Sequence, residues 1–198
     1  MSTRLFKNRW LEATTIMPVK FFLPFWLLVV SFCIYSIHSF PIIQNSMLIL
    51  VGLALWTLIE YIFHRYLFHA VSGLDFVNKI IFIMHGNHHE DPNDPLRNLM
   101  PLIVTVPIAF MLWYLFNIIG KALGQPIFVG FLIGYTCYDL VHYICHQHPM
   151  PTRLGALIKR HHMLHHYATQ DCNFGVTTTF WDRIFRTNFH TISKQNNA

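Results

Sequence analysis

The chain has 198 residues, of which 54% are apolar or aromatic and only 12% charged, and it carries a formal net charge of +5. That length suits one domain, and a charged fraction about half the ~25% of soluble domains argues against a water-soluble globule. Its basic residues lie in short segments between long apolar runs, a pattern that fits an anionic lipid surface and excludes nucleic acid as the natural partner.

The first apolar stretch runs from Phe21 to Phe63 and is interrupted only at His38–Pro41. One bilayer crossing takes ~20 helical residues at 1.5 Å rise each, so this stretch predicts two spans, about 21–37 and 42–63, joined by a tight turn. A second pair is predicted at about 100–119 and 126–145, with Gly120–Gln125 as the turn. No signal-peptide cleavage pattern precedes the first span, which is therefore expected to be retained. Arg4, Lys7, Arg9 and Lys20 precede span one, Arg65, Lys79 and Arg97 separate spans two and three, and six more basic residues follow span four. Only Lys121 falls in a predicted outer turn, an asymmetry that puts both termini and the segments 64–99 and 146–198 in the cytosol.

Within those cytosolic segments, Leu74–Met84 and Pro151–Tyr167 have the apolar and basic patterning of helices lying along the membrane surface. Three of the four cysteines (Cys33, Cys137, Cys145 and Cys172) sit in apolar runs and none forms a C-x-x-C pair, so they read as buried apolar side chains. The expected fold is all-α and integral to the membrane: one domain over 1–198, with four transmembrane helices in two hairpins and a cytosolic helical cap.

Fourteen histidines equal the number of lysines and arginines combined. Ten fall in four clusters: His64 and His69; His85, His88 and His89; His142 and His146; His162, His165 and His166. All four clusters lie on the cytosolic side of a topology derived from lysine and arginine alone. On a helix, residues three and four apart share a face, so His142 and His146 converge, and the first histidine of each H-x-x-H-H faces both later ones. Neutral imidazoles so grouped suit iron, zinc, copper or nickel. Ten exceed the four ligands of a structural zinc site, making two ions the economical count and placing a dimetal centre in the cap. His64 and His69, five residues apart, diverge by about 140° on an α-helix; they serve different ions unless the helix ends between them. His38, His148, His161 and His190 lie outside the pattern and read as ordinary surface or core residues. Glu60, one turn before His64, and Asp139, three residues before His142, are candidates to accept the outer N–H of a ligating imidazole.

The order H-x4-H, H-x-x-H-H, H-x3-H, H-x-x-H-H along paired spans resembles the fatty acid hydroxylase/sterol desaturase superfamily. Within it, the chain is most similar to membrane fatty acid 2-hydroxylases, through the segments 64–69, 85–101, 134–142 and 173–185, including Arg97 and Trp181-Asp182. Where those relatives carry a second proline after Met100-Pro101, this chain has Leu102. The resemblance implies a non-haem di-iron monooxygenase that uses O2 to hydroxylate a long-chain fatty acyl lipid at C2, free or as the N-acyl chain of a sphingolipid. It implies His64, His69, His85, His88, His89, His142, His146, His162, His165 and His166 as ligands of two iron ions, with zinc able to take the sites in purified protein. An acyl pocket is expected to open between spans two and four. Many eukaryotic relatives carry a fused cytochrome b5-like domain and this sequence shows none, so a separate cytochrome b5-like or ferredoxin-like donor is expected, and a bacterial inner membrane rather than the endoplasmic reticulum. The competing readings are another lipid oxidase of the superfamily, acting on sterols, carotenoids or alkyl-ether lipids, and a metal transporter. A transporter is disfavoured because its ligands belong at the bilayer midplane.

Overall fold

The computed structural model describes residues 4–196, which fold as ten α-helices with short π and 3-10 turns and, among the described residues, no strand. A short α1 (Arg9–Ala13) leads into α2 (Val19–Tyr35), α3 (Ile42–Phe63), α4 (Asp75–Ile81) and α5 (Asn87–Glu90). Then come the hairpin of α6 (Leu102–Gly120) and α7 (Gly124–Gln147), the amphipathic α8 (Arg153–Tyr167), and α9 (Phe180–Ile184) and α10 (Phe189–Asn196). Helices α2, α3 and α6 each start directly after a proline, Pro18, Pro41 and Pro101, with φ of −66°, −55° and −60°. Proline presets φ for a helix start and lacks an N–H that would otherwise go unpaired there.

The four long apolar helices match the four predicted segments with shifted ends. Two continuous stretches, Ile42–Phe68 and Leu102–Gln147, are long and apolar enough to cross a membrane, and Val19–Tyr35 is shorter. The second stretch folds back at Lys121, whose φ of 49° breaks the helix. The turn is a 3-10 segment, Lys121–Leu123, shorter than predicted; α7 therefore begins two residues early and runs two residues further, past His146.

Helix α7 is the axis of the molecule. Helix α3 lies against it at backbone contact: a Cβ on Gly52 would meet the Ile127 carbonyl oxygen at 2.0 Å, and one on Gly130 the Ile49 carbonyl at 1.9 Å. Small residues at a crossing are how apolar helices gain dispersion contact where no hydrophobic effect drives them together. On its other side α7 packs on α2 and the chain before α6, where Phe22, Trp26, Leu99, Phe128 and Leu132 form a buried cluster. The outward faces of α2, α3 and α6 expose Leu28, Phe32, Ile43, Leu50, Phe110 and Ile119. Continuous apolar surface of that extent marks a membrane protein.

Candidate metal centre

Ten histidines converge in two groups of five: His64, His69, His85, His89 and His165 in site 1, and His88, His142, His146, His162 and His166 in site 2. Within each group the ligand atoms lie within 4.8 Å of one another. Each H-x-x-H-H segment divides. His85 and His89 go to site 1 while His88 crosses to site 2; His162 and His166 go to site 2 while His165 crosses to site 1. The first and last histidines, one turn apart, share a face, and the middle one is rotated towards the neighbouring site.

His64 and His69 belong to the same group, not to different ones. The reason is a π-helical turn over His64–Phe68, after which the helix ends at His69 (φ −104°, ψ 14°). A π turn bonds residue i to i+5, so the five-residue spacing that diverges on an α-helix stacks here. A second π turn, Phe82–Gly86, delivers His85.

The site is tethered from outside by backbone. His64 Nδ1–H donates to the Phe174 carbonyl (2.6 Å), His165 Nδ1–H to that of Cys172 (2.7 Å), and His142 Nδ1–H to that of Asn98 (2.9 Å). A carbonyl only accepts, so these bonds fix the proton on Nδ1 and turn the Nε2 lone pair inwards. The Asn98 side-chain amide also lies 3.0 Å from His88 Nδ1. None of these tethers is a carboxylate. Asp139 Oδ2 accepts instead from the Met100 N–H (3.0 Å) and the Tyr135 hydroxyl (3.0 Å). Glu60 accepts from the Val176 and Thr177 N–H groups and the Thr177 hydroxyl. Both carboxylates thus act one step further out than expected, holding the two loops whose carbonyls hold the imidazoles.

Sequence reasoning missed those loops. In the 172–177 loop Asn173 adopts a left-handed conformation (φ 57°), which asparagine tolerates better than most residues. Asp182 accepts the Phe174 and Gly175 N–H groups, the Thr187 hydroxyl and His161 Nε2–H, so His161 is a partner of the scaffold rather than a bystander. In the 92–100 loop, Arg97 is buried against Asp94 and Glu12, tying α1 to the segment that carries Asn98. A carbonyl leaves no mark in sequence, and only the motif match around Arg97 and Asp182 pointed at these segments.

The residues present fit metal ions. His64 Nε2 and His142 Nε2 are buried with no protein partner. Five Nε2–Nε2 pairs stand 2.9–3.2 Å apart, among them His85–His89 and His146–His162. Nitrogens bound at ~2.1 Å to a common cation at right angles are about 3.0 Å apart. Burial pushes His69 down to about 4 and His165 to about 3, and burial together with neighbouring imidazoles holds His85, His88, His89, His162 and His166 well below the usual histidine range. Such groups are neutral at physiological pH, as ligands must be.

An apolar cavity of about 310 Å³ lies between α3 and α6, with α7 as its floor, lined by Leu55, Ile59, Phe63, Ile108, Leu112 and Phe131 among others. It differs from the expected position between spans two and four because glycine contact closes α3 on α7. A pocket of about 20 Å³ beside His85, His88 and His142 shares Phe68, Met84, Met100, Tyr138 and Asp139 with the cavity wall.

An all-helical fold with long apolar helices, an apolar cavity and two histidine clusters fits the class of membrane enzymes that act on lipid. The family model for fatty acid hydroxylases matches residues 49–187, and the chain belongs to that family. It is 35% identical over 170 residues to dihydroceramide fatty acyl 2-hydroxylase FAH1 of Arabidopsis thaliana, covering 82% of this chain and 70% of the relative. It is 36% identical to fatty acid 2-hydroxylase of Homo sapiens, covering 71% of this chain and 39% of that protein. The solved structure of full-length scs7p, in which only the hydroxylase domain is visible, superposes with a TM-score of 0.86 at 32% identity, over 93% of this chain and 71% of that one. These relatives come from plants, mammals and yeasts, and nothing in them supports a bacterial inner membrane.

Proposed function

We propose that the protein is a membrane di-iron monooxygenase that hydroxylates C2 of a long-chain fatty acyl lipid, free or N-linked in a sphingolipid. The observation that carries this reading is the shared wall: five side chains line both the apolar cavity and the pocket against the histidines. Sites 1 and 2 would hold one ion each through their five imidazoles, and bound iron supplies O2 activation and oxidation of a C–H bond. The chain's own residues do the rest. The cavity takes the acyl tail and excludes water, at a volume within the ~300–1,000 Å³ of small-molecule sites. Carbon 2 adjoins the head group, so oxidation there requires the head at the histidine end and the methyl terminus towards Phe131. Phe68, Met84, Met100 and Tyr138 then orient the first carbons, with the Tyr138 ring stacked on His142 at 6.1 Å.

In this reading α2, α3, α6 and α7 all cross the membrane, residues 1–198 form one domain, both termini are cytosolic, and a separate cytochrome b5-like or ferredoxin-like carrier supplies electrons. Support comes from the one-sided basic residues and the names of the relatives. Lipid mass spectrometry on cells expressing the chain tests it, with His88→Ala as control. New 2-hydroxy acyl chains that vanish with His88→Ala are expected. Oxidised sterols, carotenoids or ether lipids in their place would move the assignment within the family, and cellular metal accumulation without any oxidised lipid would favour transport.

A further inference from the structure

The two five-histidine groups are close neighbours, yet their outer hydrogen bonds come from separate loops. Site 1 is tethered at His64 and His165 by the carbonyls of Phe174 and Cys172. Site 2 is tethered at His142 by the backbone carbonyl of Asn98, whose side-chain amide lies beside His88. Four other Nδ1 atoms, those of His89, His146, His162 and His166, are buried without a partner, so the tethered imidazoles carry the fixed orientation of their sites.

Glu60 holds the far end of the 172–177 loop at Val176 and Thr177, and Asp182 organises the 172–175 segment that carries the two carbonyls. Asp182 is fully buried and uses both oxygens: Oδ1 takes the Phe174 N–H (2.9 Å) and the Thr187 hydroxyl (2.8 Å), and Oδ2 takes the Gly175 N–H (2.8 Å) and His161 Nε2–H (3.0 Å). Thr187 closes the circuit, accepting the Asn173 N–H on its carbonyl at 2.8 Å and donating its own N–H to the Asp182 carbonyl at 2.8 Å. A Cβ on Gly175 would meet the Thr178 carbonyl oxygen at 2.1 Å and Asp182 Oδ2 at 3.0 Å, so the loop closes on the carboxylate with no slack. Among the described residues, no hydrogen bond links this circuit to Asn98.

Resting on the two-ion reading, we propose that Asp182 is the positioning residue of site 1 alone, that Asn98 is its counterpart at site 2, and that the two sites can be emptied independently. Asp182 touches no ligand; it sets the two carbonyls that aim His64 and His165. Replacing one of its oxygens by an amide NH2 turns a donor towards at least one backbone N–H, so Asp182→Asn releases the loop without changing side-chain size.

The test is the metal content of the full chain in detergent, loaded with ferrous iron or zinc and dialysed against chelators of graded strength. Wild type is expected to hold two ions. Asp182→Asn should hold one of them 10–100-fold more weakly, the usual effect of losing an outer-shell partner. Adding His69→Ala to Asp182→Asn should then leave the remaining ion in place, and adding His146→Ala should remove it. Asn98→Ala removes the side-chain bonds to Pro92 and Gln147 that hold the Asn98 carbonyl in place, and should show the reverse pattern. An Asp182→Asn chain that keeps both ions at wild-type affinity, or loses both together, overturns the proposal. A wild type that binds fewer than two ions overturns the two-ion reading, and the proposal with it. If Asp182→Asn does not fold, Thr187→Val and His161→Leu each remove one bond to the same carboxylate, and loss confined to site 1 is the required result; equal loss from both sites rejects it.

Discussion

Asp139 and Asp182 are both buried carboxylates near the histidines, and their hydrogen bonds separate them. Both bonds to Asp139 end on one oxygen, Oδ2, whereas Asp182 uses two. An asparagine at 139 can present its single oxygen to Met100 N–H and Tyr135 together. Asp139→Asn is therefore expected to retain metal affinity near wild type, while Asp139→Ala releases Met100 and weakens site 2 by about tenfold. Metal titration of the two variants side by side checks this. A direct carboxylate–imidazole contact would weaken both variants alike. The sequence placed Asp139 and Glu60 near the right histidines because helical spacing is readable. It could not say which atom each carboxylate would meet, because loop backbone competes for the same oxygens and its path is set by folding.

At the scale of elements, the ligand geometry depends on helices that depart from α. The H-x4-H spacing works because His64–Phe68 is a π turn. Inserting an alanine after the exposed Tyr66 would lengthen the spacing to H-x5-H and swing His69 on by roughly 100°. The expected outcome is loss of the site 1 ion with retention at site 2, read as metal-to-protein ratio; unchanged occupancy would show that His69 is dispensable. The α3–α6 cavity makes a second prediction at this scale. Leu112→Trp adds bulk to its lining, so the preferred acyl product should shorten by several carbons in a mixed-chain assay, with metal content unchanged. Apolar periodicity located these helices, and proline and Lys121 located their ends. The width of the gap between them follows from glycine contact between α3 and α7, a pairing over which local sequence has no control.

For the whole molecule, a cap of buried neutral imidazoles couples stability to pH. His69 and His165 titrate at about 4 and about 3 in the fold, against ~6.5 unfolded. Between those values the unfolded chain binds more protons, so stability rises with pH. The contribution is complete above about 6.5 and is lost progressively as pH falls towards 4. Metal-stripped protein should therefore melt at lower temperature at pH 5 than at pH 7.5. Metal loading should raise the melting temperature at pH 7.5 and do so less at pH 5, where protons compete for the ligands. Scanning calorimetry in detergent, with and without metal, gives both comparisons.

Composition, hydropathy and charge asymmetry were enough to mark a helical membrane protein, and histidine spacing enough to mark its chemistry. These properties are local or additive: a span needs only length and apolarity, and H-x-x-H-H needs only a helix. The division of the ten histidines into two groups, and the loops that orient them, came from tertiary structure alone. A metal cage joins residues up to about a hundred positions apart, as His64 and His165 are, and the carbonyls that aim them carry no residue identity. Their placement depends on the path of the folded backbone, which no spacing rule encodes.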